Sequence, residues 1–162
     1  MFWQILIVLI ISMIPIIELR GAIPFAMWLG LNLPEWLILI VAIIGNIIPV
    51  PFIYYFAPKF LTWGAKKKWK PFRKLCEFCL KKGEKAGAKL LQKAGNYGTF
   101  VALFLFVAIP LPGTGAWTGT LAASILKLDF KKASIAIIAG IITAGLILLA
   151  ASLGLFRGLL GI

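Results

Sequence analysis

The chain has 162 residues, 62% of them hydrophobic, with a mean hydropathy of +1.02, 17 basic residues, five acidic ones and no His. A soluble core this short cannot hide so much apolar surface, so the composition excludes a soluble globular protein and the length allows one membrane domain. The formal charge of +12 is unevenly placed: twelve of the basic residues lie between Lys59 and Lys93, and Lys127, Lys131 and Lys132 form a second cluster.

In chain order, residues Met1 to Leu33 form an apolar segment broken by Pro15, Gly21 and Pro24. The run Phe2 to Ile17 lacks the basic start of a signal peptide and is read as part of the mature protein. Glu35 to Ala57 follows as an apolar stretch of roughly 22 residues, the length a ~30 Å hydrocarbon core requires. From Lys66 to Ala94, Trp69, Phe72, Cys76, Cys79, Ala86, Leu90 and Ala94 recur at helical spacing on a Lys- and Arg-rich background. That pattern predicts an amphipathic helix on an anionic lipid surface, with Gly83 or Gly87 as candidate breaks. Tyr97 to Leu126 is a second broken apolar segment, and Ser134 to Leu155 a second crossing.

The two broken segments carry related motifs. The first reads Pro15-Ile-Ile-Glu18-Leu-Arg20-Gly21-Ala22-Ile-Pro24 and the second Pro110-Leu-Pro112-Gly113-Thr114-Gly115-Ala116-Trp117-Thr118-Gly119. A displacement of 94 places Gly21-Ala22 on Gly115-Ala116 and Glu35-Trp36 on Asp129-Phe130. Each segment is too short for two full crossings at ~1.5 Å per residue, so each is expected to be a re-entrant hairpin. Basic clusters favour the cytoplasmic side, and one hairpin plus one crossing per half then makes the halves inverted. The fold class is thus all-α and polytopic: two inverted repeats, each a re-entrant hairpin plus a transmembrane helix, linked by a basic amphipathic helix. The repeats span 1–58 and 96–162, with 59–95 as the cytoplasmic linker.

Glu18 and Arg20 are the ionisable residues expected at membrane depth, where such groups mark substrate or proton paths. Arg20 precedes Gly21-Ala22-Ile23-Pro24, the expected start of a half-helix, and a guanidinium beside free helix N–H groups is an anion site. Thr114, Gly115, Thr118 and Thr120 supply hydroxyls and backbone donors at the equivalent place, and Glu18 is the candidate proton-coupling group. Asn46, Trp117 and Thr143 are candidate cavity-lining residues; interhelical hydrogen bonding is the plainer role for Asn46 and Thr143. Trp3, Trp28, Trp36, Tyr54 and Tyr55 read as interface-belt aromatics.

Cys76 and Cys79 form a C-x-x-C, but with no His and no further Cys a tetrahedral zinc site cannot be completed, so apolar packing is expected. No catalytic triad, metal cluster or phosphate-gripping loop is present; the chain is expected to be no enzyme and to hold no metal or cofactor. Tethering at both ends to membrane helices argues against nucleic acid as the basic segment's partner. Expected partners are membrane lipids and, through small-residue faces such as Gly140/Ala144, a second copy in a homodimer.

The motifs Glu18-Leu-Arg-Gly-Ala-Ile-Pro24 and Pro112-Gly-Thr-Gly-Ala-Trp-Thr-Gly119 resemble the small multidrug export family over essentially the whole chain, and that family is similar to the DedA/VTT superfamily. The resemblance implies the plasma membrane of a prokaryote and, by the wider superfamily, movement of polyprenyl phosphate or phospholipid. The chain departs from the DedA pattern where Thr114 and Thr118 replace arginines of the second hairpin, leaving Arg20 the only deep cation. The expected function is a proton-coupled transporter or scramblase of an anionic lipid. The alternatives are proton-coupled export of lipophilic cations, with Glu18 as carrier, and a membrane-shaping role for the basic helix.

Overall fold

The computed structural model of the chain describes residues 1–15, 17–67, 69–94, 98–111 and 113–160; Lys68, Tyr97 and Pro112 lie outside them. Eight helices account for nearly all of the described residues: α1 (Phe2–Met13), α2 (Glu18–Trp28), α3 (Glu35–Ile47), α4 (Pro49–Ala65), α5 (Lys70–Ala94), α6 (Gly98–Ala108), α7 (Ala116–Ile125) and α8 (Phe130–Leu160). The chain is all-helical across them, as the sequence predicts.

Local chemistry sets the boundaries. Ile14 precedes Pro15 and is extended (φ −69°, ψ 128°), which ends α1, because a residue before proline is pushed out of the helical region. At the end of α2, Gly30 takes φ +59°, its N–H reaches the Met27 carbonyl, and Leu31 N–H reaches that of Ala26. α7 ends in the same paired-bond cap, with Lys127 at φ +52°, its N–H on Ser124, and Leu128 N–H on Ala123. Asp129 then caps α8 by accepting the Lys132 N–H at 3.0 Å.

The order of elements repeats around α5: two short helices, a capped turn, then a long apolar helix. The long ones, Glu35–Ala65 (31 residues) and Phe130–Gly154 (25 residues), are each long and apolar enough to span a bilayer. At ~1.5 Å per residue they reach about 46 and 38 Å, beyond a ~30 Å core. The short helices, 10 to 12 residues each, reach only about half of it. Large apolar side chains face outward along the long helices, among them Trp36, Phe52, Phe56 and Ile135, each more than 60% exposed. Such a surface is stable against lipid, not water.

The halves are packed across one another. α1 lies on α3 and α6 on α8, but α2 also packs on α8, and α7 on α4. α3 and α8 meet at Gly145, where a Cβ would stand 2.9 Å from Leu39; α6 and α8 meet at Gly140, where one would stand 2.7 Å from Val107. Small residues bring the backbones together here, as membrane interiors require.

The first crossing runs further than the expected Glu35 to Ala57, because α4 continues through Pro58 to Ala65. Proline removes the N–H that would have bonded the Tyr54 carbonyl one turn back. The Ser124 hydroxyl of α7 donates to that freed carbonyl at 2.5 Å, and the Tyr54 hydroxyl donates to the Leu128 carbonyl beside the α7 cap. Tyr54 therefore ties α4 to the second half, whereas Trp3, Trp28, Trp36 and Tyr55 are exposed. Ser124→Ala should cost about 1–2 kcal/mol by stranding a buried carbonyl. In a Pro58→Ala background the cost should nearly vanish, because the restored N–H takes the carbonyl back; thermal unfolding of the four proteins of this cycle measures the difference.

α5 is continuous, and its glycines are contacts, not breaks. A Cβ at Gly83 would stand 2.8 Å from Leu121 and 2.9 Å from Ile125, and one at Gly87 3.3 Å from Leu126. Its stripe of Cys76, Gly83, Ala86 and Leu90 is buried against α4, α6 and α7. The apolar face expected to meet lipid is covered by the protein's own helices, while Trp69, Leu75 and Phe78 are exposed.

Candidate functional site

Glu18 opens α2 with φ +52°, a conformation few non-glycine residues adopt. It is 4% exposed, and its carboxylate lies on the far half of the molecule: Oε1 accepts the Trp117 N–H at 3.0 Å and Oε2 the Ala116 N–H at 3.4 Å. These are the first N–H groups of α7, which its helix cannot satisfy. A negative group there gains from the helix dipole as well as from the bonds, and backbone strain at Glu18 is of the kind found where a side chain is held for a task.

Arg20, one step further along α2, grips the other side of the same break. Its Nη1 donates to the Leu111 carbonyl, and its Nη2 donates to Thr114 Oγ1 at 3.0 Å and the Ile109 carbonyl at 3.4 Å. Thr114 passes its own proton to the carbonyls of Ile109 (3.0 Å) and Leu111 (2.8 Å). The turn between α6 and α7 thus has its end carbonyls on a guanidinium and its start N–H groups on a carboxylate. Two residues of the first half satisfy a backbone break in the second, forming a latch across the halves.

The break is shaped for this. Gly113 has φ +82° and Gly115 φ +131°, and a Cβ on Gly115 would strike the Glu18 carboxylate, 2.9 Å from its carbon. Gly115→Ala should therefore expel Glu18 from α7 and lower stability by about 2–3 kcal/mol, the cost of strain plus lost charged hydrogen bonds. Thermal unfolding in lipid nanodiscs tests this, with Gly113→Ala as the comparison, since the nearest atom to a Cβ there is the Lys82 side chain at 3.9 Å.

The expected half-helix start at Arg20-Gly21 is displaced to Glu18, and the free N–H groups that matter belong to α7. Gly21 lies within α2 against Ile17. Thr118 donates weakly to the Gly115 carbonyl at 3.4 Å, and Thr120, fully buried, donates to the Ala116 carbonyl of its own helix at 2.6 Å. Thr143 likewise bonds one turn back, to Ala139 at 2.9 Å, the usual outlet for a threonine in a helix. Asn46 is buried, and its Oδ1 has no partner among the described residues, so the expected interhelical bond is made by neither residue.

Beside the latch lies a cavity of about 870 Å³, within the range of small-molecule sites. Its walls come from the start of α2, from α4, from the first half of α5, and from the α6–α7 break and α7. They are mainly apolar and include Phe60, Phe72, Phe78 and Trp117. Glu18, Arg20, Lys82, Thr114 and Thr118 supply the polar positions; Glu18 is the one carboxylate among the described lining residues. Gly21, Asn46, Gly115, Thr120 and Thr143 are not in the wall. Sequence reasoning missed the contribution of α4 and α5 to one cavity; the signal was present in Phe60 and Phe72, apolar residues beside Lys59 and Arg73.

No curated protein and no solved structure matches the chain. A family model described as "Putative small multi-drug export protein" matches residues 18–147, well over half of the chain, from Glu18 through the first long apolar helix and into the second. The chain belongs to this family.

Proposed function

We propose that the chain is a proton-coupled exporter of small lipophilic molecules, with lipophilic cations as its cargo class. The observation that carries the reading is the apolar cavity of about 870 Å³ whose wall, among the described residues, holds one carboxylate, Glu18, bonded to the start of α7. Cargo enters among the faces of Phe60, Phe72, Phe78 and Trp117, where ring quadrupoles favour cations. Ionised Glu18 holds α7 or a cation; protonated Glu18 is a weaker acceptor and releases both. Cargo and proton then compete for one group, which is what exchange requires. Membership of the family supports export as the direction.

The same reading takes the two pairs of half-length helices as re-entrant hairpins in inverted repeats, with the latch near the midplane. It places the protein in the plasma membrane of a prokaryote with the basic outer face of α5 toward the cytoplasm. One feature favours a second reading, movement of an anionic lipid: with Glu18 protonated, Arg20, Lys82 and the α7 N-terminus leave the wall positively charged.

The experiment is translocation in sealed proteoliposomes of a lipophilic cationic dye and a fluorescent short-chain polyprenyl phosphate, with and without a pH gradient. Dye movement that needs both the gradient and Glu18 is expected. Movement of the phosphate lipid alone would transfer the site to the second reading, and movement of neither would end both.

A further inference from the structure

The only two cysteines of the chain face the cavity together. They stand one turn apart on α5, on the side that carries Phe72, and Gly64 of α4 leaves the space that the Cys76 sulfur fills. Cys76 is 2% exposed and Cys79 partly buried, and both border the cavity. Packing alone explains Cys76. It does not explain a second thiol at the matching position on the same wall.

Helical spacing decides what such a pair can do. Side chains three residues apart have Cβ atoms about 5–6 Å apart. A disulfide needs about 3.5–4.5 Å, so direct oxidation would have to unwind α5 in its middle. A single thiophilic atom placed between the sulfurs spans the wider gap without disturbing the helix. Burial also pushes the Cys79 thiol up, which keeps it protonated and slow toward reagents that need a thiolate. A bridging reaction that consumes the thiol protons is not disfavoured in this way.

We infer that Cys76 and Cys79 form a dithiol receptor in the cavity wall for neutral, lipophilic organoarsenicals in the trivalent state, the aryl group lying against Phe72 and Trp117. The reaction is a condensation. The arsenic–oxygen double bond and two S–H bonds break, two arsenic–sulfur bonds form, and the oxygen leaves with both thiol protons as water. Arsenic remains trivalent, so no oxidant or reductant takes part. The inference stands on the cavity and the thiol pair and holds whether or not the cavity transports.

The test uses the full chain in lipid nanodiscs with phenylarsine oxide as the probe, read by intact mass after washing. One phenylarsenic unit per chain is expected, removable by 2,3-dimercaptopropanol. Cys76→Ser and Cys79→Ser should each weaken retention by about 10²-fold or more, because the second bond is intramolecular and is lost with either sulfur. Thr118→Trp, which keeps both thiols but fills the cavity, should slow capture several-fold. Thermal unfolding of each variant confirms that it is folded. Retention in either serine variant equal to that of the unsubstituted chain would overturn the dithiol, and a capture rate untouched by Thr118→Trp would overturn its place in the cavity.

Discussion

Glu18→Gln is expected to abolish gradient-driven transport and to lower stability by about 2 kcal/mol. The amide keeps the length of the side chain, so the change isolates charge. One oxygen can still accept the Trp117 N–H, but the amide N–H₂ then faces the Ala116 N–H, donor against donor. Lost charge assistance at two bonds and lost attraction to the α7 dipole each contribute about 1 kcal/mol. Glu18→Asp keeps the charge but is one methylene short and should reach only one of the two N–H groups. The pair separates the roles: transport that survives in the aspartate and fails in the glutamine variant is expected, whereas equal loss in both would reduce Glu18 to a structural cap.

Arg20→Ala should be the more damaging change to the fold, at about 3 kcal/mol, since three acceptors at the α6–α7 break lose a charged donor together. Arg20→Lys should recover less than half of this. A lysine brings the charge, but its single ammonium cannot fork between the Leu111 carbonyl on one side and Ile109 with Thr114 on the other. Thermal unfolding of both in nanodiscs measures the effect. If alanine and lysine are equally destabilised, the fork geometry carries the stability; if lysine is as stable as arginine, charge alone does.

The sequence shows these two residues but not what they hold. Glu18 and Arg20 stand out because ionisable groups are rare in such apolar surroundings, and the Pro and Gly interruptions mark where helices break. That the carboxylate caps α7 rather than a helix of its own half is a contact across 99 residues, with no local trace. The positive φ of Glu18 is equally hidden, since nothing about a glutamate announces it. The role of Pro58, a freed carbonyl taken by Ser124, depends on α7 lying alongside and has no mark in the local sequence. Gly83 and Gly87 show the opposite failure. Glycine in a helix signals either a break or a close neighbour, and only tertiary structure chooses between them.

The crossed latch also has a consequence for biogenesis. Glu18 and Ala116 are 98 residues apart, and at synthesis rates of roughly 5–20 residues per second the first half waits on the order of 5–20 s before its partner helix exists. Through that interval Glu18 and Arg20 lack the second-half groups that hold them in the finished fold. The first half is therefore inserted as an unfinished piece, and the emerging second half completes it.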